Sequence, residues 1–320
     1  MIQGHGDDSY HYEDIRMNFS SNIYAHADLS ALKAFLSSRL DVVAAYPEPD
    51  AHSLASLIAG RLHVPEDCVI VTNGATEAIY LTAQMLRANG IRHYLVTHPT
   101  FSEYEDACRM FGMEEGRGGV RWICTPNNPD GKVVRLKGDT PITVLDQSYE
   151  DLTTALLMPP EEAVQSAGII QIHSLTKTYA VPGLRIGYIV TTPRLAALLR
   201  RFQRPWSVNG LAVEAGKWLL MNEAKAVPCL TDYLAEARRL NMMLNQLPHV
   251  SAMPTDTNCM LATIDYHTSA ELKDYLARHH HMLIRDASNF PGLDAHYFRV
   301  SAQTPEEDDA LVAAIREFVL

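Results

Sequence analysis

The 320-residue chain is poor in several things that would classify it early. It has no run of about 18 apolar residues, so no membrane-spanning helix is expected. Cysteine is scarce and odd in number: Cys68, Cys108, Cys124, Cys229 and Cys259, widely spaced and without a CxxC. That spacing excludes a disulfide framework and reads as reduced, mostly buried thiols of a cytoplasmic protein. Basic residues are outnumbered, 27 Lys and Arg against 38 Asp and Glu, for a formal charge of −11. Nucleic acid is therefore excluded as a partner, because phosphate backbones need a basic face. An anionic small molecule is not excluded, since a few arginines in a cleft override the global field. The opening MIQGHGDDSY has no basic stretch followed by an apolar core, so no signal peptide is expected. Repeats and low-complexity segments are absent. The run His279-His280-His281 has no acidic or cysteine partner at helical spacing. It reads as a solvated helix end, and no metal is expected.

What is present is ordinary for a globular protein, 47% apolar and 20% charged residues. The length suits one large domain and one small one. Residues 1 to about 28 look irregular, in the manner of a disordered leader. Helical spacing over Leu29 to Leu40 precedes a turn at Tyr46-Pro47-Glu48-Pro49 and a helix from Ser53 to Leu62. Short apolar strands then alternate with helices. The strands are expected at 69–72, 94–96, 121–125, 142–145, 169–173 and 186–191, with helices to Leu86 and over 103–111. This alternation predicts an α/β fold, a mostly parallel sheet sandwiched by helices. From Pro193 to Leu247 the pattern is helical. Strands at 259–264, 282–284 and 298–300 with helices at 269–278 and 305–318 then predict a smaller α+β C-terminal domain. The expected division is an N-terminal arm with part of the small domain (1–40), a large domain (41–225) and a small one (226–320).

The richest stretch is His173-Ser174-Leu175-Thr176-Lys177-Thr178-Tyr179-Ala180-Val181-Pro182-Gly183-Leu184-Arg185-Ile186-Gly187. It follows an apolar strand and so lies at a strand's C-terminal edge, where open α/β sheets place ligands. A hydroxyl, an amine and a guanidinium recur at Ser174, Lys177 and Arg185, a set able to hold one phosphate beside one amine. A lone S-x-x-K is also found in serine acyl-enzymes and in ordinary loops. The following Pro-Gly-Leu-Arg-Ile-Gly gives the segment its identity. It closely resembles the Schiff-base lysine motif of the class I/II aminotransferases, which are pyridoxal-phosphate enzymes of fold type I.

The resemblance implies further parts, and the sequence supplies them in family order. Gly74-Ala75-Thr76 after strand 69–72 matches the phosphate cradle at a helix N-terminus, where free N–H groups and the helix dipole favour an anion. Asp146, ending strand 142–145, matches the carboxylate that keeps the pyridine nitrogen protonated. Tyr149 resembles the residue that hydrogen-bonds the ring hydroxyl. Thr125-Pro126-Asn127-Asn128-Pro129-Asp130-Gly131 resembles the Asn-Pro turn, with Asn128 facing the ring oxygen. Asp130 replaces the usual threonine, and the turn is expected to survive because Asp suits turns. Phe101 matches the aromatic that stacks on the ring. Arg299, in Tyr297-Phe298-Arg299-Val300, matches the arginine that grips the substrate α-carboxylate as a fork.

Several segments are similar to one branch, the threonine-phosphate decarboxylases of cobalamin biosynthesis, relatives of the histidinol-phosphate aminotransferases. They are Gly4-His5-Gly6, Asn18-Phe19-Ser20-Ser21-Asn22-Ile23, Pro205-Trp206-Ser207-Val208-Asn209, Leu283-Ile284-Arg285 and Asn289-Phe290-Pro291-Gly292-Leu293-Asp294. The resemblance implies that His5, Asn22, Arg285 and Arg299 line the substrate pocket. It also implies a homodimer in which Tyr46 reaches the neighbouring subunit's site. The implied reaction is decarboxylation of L-threonine O-3-phosphate to aminopropanol phosphate, with Lys177 linking the cofactor aldehyde and later returning a proton to Cα. Two alternatives stay open: an aminotransferase acting on histidinol phosphate or another phosphorylated amine, and a cofactor-binding protein without turnover.

The chain departs from the family by being short. Cys124 follows Phe101 closely, and the link from Gly131 to Asp146 is brief. Each gap normally holds a longer strand–helix passage. Met113 to Gly119 looks like a loop in place of one, so the missing pieces are expected on the outside of the large domain.

Overall fold

The computed structural model describes residues 7–135, 141–223, 225–227 and 229–320. Gly4, His5 and Gly6 lie outside them. Among the described residues there are thirteen strands: β1 Met17–Asn18, β2 Val69–Thr72, β3 His93–Leu95, β4 Glu114–Glu115, β5 Val120–Cys124, β6 Ile142–Asp146, β7 Ile169–Ser174, β8 Gly187–Thr191, β9 Val250–Ala252, β10 Cys259–Ile264, β11 Met282–Leu283, β12 Arg285–Asp286 and β13 Tyr297–Ser301. The six expected strands of the large sheet fall within a residue or two of their predicted bounds. The two-residue β1, β4 and β12 and the three-residue β9 were too short to show a period.

The large sheet runs β2-β8-β7-β6-β5-β3-β4. Its pairings are parallel except at β8, which is antiparallel to both β2 and β7. One edge therefore gathers the C-terminal ends of β2, β5, β6 and β7 and the start of β8. Around β2 and β8 both faces are apolar because both are covered. Ile70, Val144, Ile170, Ile172 and Ile189 pack with the helix Gly74–Ala88 on one side. Val69, Val71, Tyr188 and Val190 pack with residues of His52–Arg61 and Gly210–Asn222 on the other. This explains why Val69–Thr72 reads as an unbroken apolar run rather than an alternation.

The smaller sheet, β12-β13-β10-β9, is antiparallel. Its core includes residues of the helices Leu230–Leu244, Ser269–His280 and Pro305–Val319. The last two helices start on capping boxes, Thr268 with Glu271 and Thr304 with Glu307. The expectation of a disordered leader needs correction. β1 pairs in parallel with β11, Phe19 is fully buried, and Ser301 N–H donates to the Phe19 carbonyl at 2.9 Å. A two-residue strand and one aromatic anchor are too small a signal to stand out among glycines and aspartates.

The short links fall on the outer flank of the large sheet. β4 and β5 flank β3 on opposite sides, yet only Gly116 to Gly119 joins them. Parallel neighbours usually need a crossover of about a dozen residues. Here the chain passes against β3 directly: a Cβ on Gly119 would stand 1.8 Å from the His93 carbonyl oxygen. After Gly131, no helix precedes β6 among the described residues.

Candidate active site

A cleft of about 410 Å³ opens at the common edge of the large sheet and is closed on its far side by the small sheet. Each wall residue has a reason to be there. β2 ends at Thr72, and the chain turns through Gly74, at φ +75°, into a 15-residue helix. Ala75 and Thr76 thus present the first turn of that helix to the cleft. Arg185, at φ +58°, lies against Gly74 so closely that a Cβ there would be 2.7 Å from Nη2. A Cβ on Gly187 would be 2.6 Å from the Ala75 nitrogen. The two glycines let the start of β8 and the helix N-terminus meet. Ser174 ends β7, and its Oγ accepts the Thr176 N–H at 3.2 Å, capping the short helix that carries Lys177. A helix N-terminus, a hydroxyl and a guanidinium thus converge, a donor set suited to a phosphate.

Lys177 Nζ donates to the Ser21 carbonyl at 2.6 Å and lies 5.7 Å from the centre of the Tyr149 ring. Burial, followed by the positive charge of Arg299, pushes its pKa down to about 7. Such an amine is substantially unprotonated at neutral pH and can attack a carbonyl. Asp146 ends β6 in a buried position, and desolvation raises its pKa. Its Oδ1 accepts the Ser148 N–H at 2.9 Å and its Oδ2 accepts the Tyr104 hydroxyl at 2.7 Å. Tyr104 is fully buried, stacked on Trp122 at 5.4 Å and edge-on to Phe101 at 5.7 Å. The sequence reading missed Tyr104; its only trace there is a position one helical turn after Phe101.

The Asn-Pro turn survives with Asp130. Asp130 Oδ1 accepts from Asn127 Nδ2 at 2.8 Å and from the Lys132 N–H at 3.1 Å. Gly131, at φ +68°, is pressed against the small sheet's approach, where a Cβ would be 2.1 Å from Thr255 Oγ1. Asn128 lines the cleft, and its Oδ1 accepts from Arg299 Nη1. Arg299 also donates from Nη2 to the Ser20 carbonyl at 2.5 Å.

Arg285 and Arg299 are both buried, and they are direct partners across the antiparallel β12–β13 pair. Burial and then Arg299 lower the Arg285 pKa to about 10. Like charges placed opposite one another on a ladder destabilise it. Arg285 donates to Asn289 Oδ1 at 2.6 Å, and its guanidinium lies 5.3 Å from the Phe290 ring centre.

Of the residues singled out in the sequence, Ala75, Thr76, Phe101, Asn128, Asp146, Tyr149, Ser174, Lys177, Arg185, Arg285 and Arg299 line this one cleft, and Gly74 supports it from behind. Asn22 does not line it. It is fully buried, with Nδ2 donating to the Tyr149 hydroxyl at 3.4 Å. Tyr46 is not brought to the cleft either; it is 84% exposed and lies against Trp206. His5 lies outside the described residues. Asp7, Asn289 and Phe290 line the cleft without having been assigned a part. Among the described residues, no group of three or more His, Cys, Asp or Glu is placed to hold a metal.

The donor set fits pyridoxal phosphate. It offers a cradle for a phosphate, an amine of lowered pKa for an aldehyde, a buried carboxylate for a ring nitrogen and an aromatic wall. Comparison with known proteins agrees. The sequence matches the family Aminotransferase class I and II over residues 14–117 and 114–315, and the match is broken at the shortened link after β4. It is 30% identical to a threonine-phosphate decarboxylase of Salmonella typhimurium, across 95% of this chain and 91% of that one. That alignment spans 341 positions, more than the chain's own length, so the chain has internal gaps relative to it. A histidinol-phosphate aminotransferase of Moorella thermoacetica is 26% identical, over 89% of this chain and 80% of that one. The solved structure of L-threonine-O-3-phosphate decarboxylase from Porphyromonas gingivalis superposes with a TM-score of 0.89 at 34% identity, covering 95% of this chain and 99% of that one. Its geometry and these matches together make the chain a member of the class I and II aminotransferase family, whose cofactor is pyridoxal phosphate.

Proposed function

We propose that the chain decarboxylates L-threonine O-3-phosphate, releasing CO₂ and aminopropanol phosphate. The observation that carries this reading is the pair of buried guanidiniums, Arg285 and Arg299, opposite one another and facing the same cleft as Lys177. Two adjacent cationic positions suit a small molecule with two anionic groups, a carboxylate and a phosphate. A phosphorylated amine without a carboxylate would leave one of the pair without an anion, which disfavours histidinol phosphate. The similarity to threonine-phosphate decarboxylases at 30% and 34% identity supports the same choice.

In this reading the first turn of the helix Gly74–Ala88, Ser174 and Arg185 hold the cofactor phosphate. Asp146 faces the ring nitrogen, Asn128 and Tyr149 the ring oxygen, and Phe101 the ring face. Bound there, pyridoxal phosphate supplies an aldehyde for amines and a ring that accepts the electron pair left when a bond to Cα breaks. Arg299 grips the α-carboxylate and so decides which bond to Cα stands clear of other restraints. Arg285 takes the phosphate. Asp146 keeps its negative charge opposite a protonated nitrogen, with Tyr104 and Ser148 fixing its two oxygens. Lys177, an amine with a pKa near 7, would hold the cofactor aldehyde, take up a proton from the incoming substrate ammonium and return one to Cα once CO₂ has left.

Two copies are proposed to associate through the surface that carries Leu40, Val43, Tyr46 and Trp206, four large apolar side chains that are each about half exposed or more. The unpaired thiols, four of five buried, support a cytoplasmic setting. The test is direct: the holoprotein with L-threonine O-3-phosphate should release CO₂. Conversion of the cofactor to pyridoxamine phosphate without CO₂ would make the chain an aminotransferase. Neither change would make it a binding protein.

A further inference from the structure

The helix Ser269–His280 buries Ser269, Leu272, Lys273, Leu276 and Ala277, the inward stripe of an amphipathic helix. A lysine in that stripe is unusual, because lysine is seldom buried unless it is paired. Lys273 has two partners, a carboxylate and a ring, and both come from one short segment at the start of the described chain. Its Nζ forms an ion pair with Asp8, 265 residues away in sequence, and lies 5.7 Å from the centre of the Tyr12 ring. The pair is largely shielded from water, with side chains 11% and 22% exposed. Removing one member of such a pair costs more than it would on an open surface. Asp274 and Arg278, further along the same helix, are engaged with each other at 2.8 Å.

The segment that Lys273 holds has no hydrophobic anchor of its own. The turn Ser9–His11 buries no residue, and Tyr10 is 80% exposed. The N–H groups of His11 and Tyr12 donate to the Asp8 and Ser9 carbonyls, both at 3.0 Å, so residues 8–12 form one closed turn. At the near end, the Asp7 N–H donates to Ser20 Oγ at 3.2 Å, and Asp7 Oδ1 accepts from Asn18 Nδ2 at 2.6 Å. Asp7 and Ser20 both line the cleft that holds Lys177. Asp7 is also exposed to solvent, which places it at the rim. A rim piece without apolar burial keeps its place only while its polar contacts last. Asn18 and Ser20 fix one end of it, and Lys273 fixes the other from outside the cleft.

We infer that Lys273 is a positioning residue for the mouth of the cleft: paired with Asp8 and lying against Tyr12, it holds residues 7–12 in place so that Asp7 completes the rim. Lys273 touches neither cofactor nor substrate and acts through the segment alone. A complete rim keeps water and small nucleophiles from the cofactor and slows the escape of a bound substrate. The inference rests on the cofactor cleft and not on which amino acid is decarboxylated there.

The experiment compares the holoprotein with its Lys273→Met, Asp8→Asn and doubly substituted variants. Methionine keeps most of the apolar stem of lysine in the helix stripe and removes the charge. Hydroxylamine, a small nucleophile that bleaches the visible absorbance of the bound cofactor, measures access to the cleft. Bleaching should quicken about tenfold in each single variant. It should quicken no further in the double variant, because both substitutions remove the same contact. Affinity for L-threonine O-3-phosphate should fall by a similar factor, with the rate of CO₂ release at saturation unchanged. Cofactor affinity should not change, and the melting temperature should stay within a few degrees of the parent. Bleaching of Lys273→Met at the parent's rate would overturn the inference. So would effects that multiply in the double variant, or a loss of cofactor affinity equal to the gain in bleaching, which would mark a general loosening of the fold. If Lys273→Met fails to fold, Asp8→Asn decides alone by the same rate. A parent that neither binds nor turns over L-threonine O-3-phosphate removes the proposed reaction and leaves the bleaching test of the clasp intact.

Discussion

The crevice edge of the large sheet and its outer flank are made by the same strands, and the chain treats them in opposite ways. At the crevice, the ends of β2, β5, β6, β7 and β8 keep the parts of a cofactor site, several of them costly. They include a lysine with its pKa near 7 and a buried aspartate, and two opposed arginines face them from β12 and β13 of the small sheet. On the flank the chain has been cut to short links, Gly116 to Gly119 and the stretch after Gly131. Strand residues on one face of the sheet also differ along it, although Ile123 and Leu145 stay apolar there. Where β2 and β8 carry Val69, Val71 and Val190 under helices, β5, β6 and β7 carry Arg121, Thr143 and Gln171. Gln171 and Gln147 donate to the Met158 carbonyl, at 2.9 and 3.2 Å, so an extended segment covers the face there. Polar side chains can hydrogen-bond an irregular backbone, which apolar ones cannot. The lesson is that the strands fix the position of the crevice, and the cover on the flank can shrink without moving it.

This contrast can be broken most severely at Lys177. Lys177→Ala should abolish the visible absorbance of the bound cofactor and all turnover while leaving the far-ultraviolet circular dichroism intact. An unchanged visible band would remove Lys177 from the account. Arg285→Ala comes next, with a loss of roughly 2–3 kcal/mol for phosphorylated ligands and little for unphosphorylated ones, read from binding titrations. On the flank, Gly119→Ala should cost roughly 1–3 kcal/mol of stability in denaturant unfolding, because its Cβ meets the β3 backbone. The cofactor spectrum of that variant should not change; a shifted spectrum would mean that flank and crevice are coupled. Tyr104→Phe keeps the stack on Trp122 and removes one hydrogen bond to Asp146, so cofactor affinity should fall by about 1–2 kcal/mol. The same substitution in an Asp146→Asn background should cost much less.

A further effect is on pH dependence. Lys177 in the folded apoprotein has a pKa of about 7, against an ordinary 10.5. Between those values the unfolded chain carries a proton on this side chain that the folded protein does not. Apoprotein stability therefore rises with pH across that window. Capture of the cofactor aldehyde should quicken as pH rises through about 7, measured by the growth of visible absorbance. A rate that is flat between pH 6 and 8 would show that Lys177 is not the limiting nucleophile.

Much of the crevice was legible in the sequence because its parts are local. Ser174, Lys177 and Arg185 sit on one continuous segment, and Gly74 to Thr76 directly follow a strand whose apolar run is plain. What stayed hidden was either non-local or very short. Tyr104 matters through a contact with Asp146, 42 residues away, and nothing in its own neighbourhood marks it. The Ser20 and Ser21 carbonyls that receive Arg299 and Lys177 are backbone groups and carry no side-chain signature. Asn22 was readable as a motif residue, but its buried place behind Tyr149 depends on how β1 docks on β11.

The central claim is the reaction itself. Purified holoprotein mixed with L-threonine O-3-phosphate should release CO₂ over many turnovers, with the cofactor's absorbance returning to its starting form when the substrate is spent. Absence of CO₂ together with accumulation of pyridoxamine phosphate would contradict it.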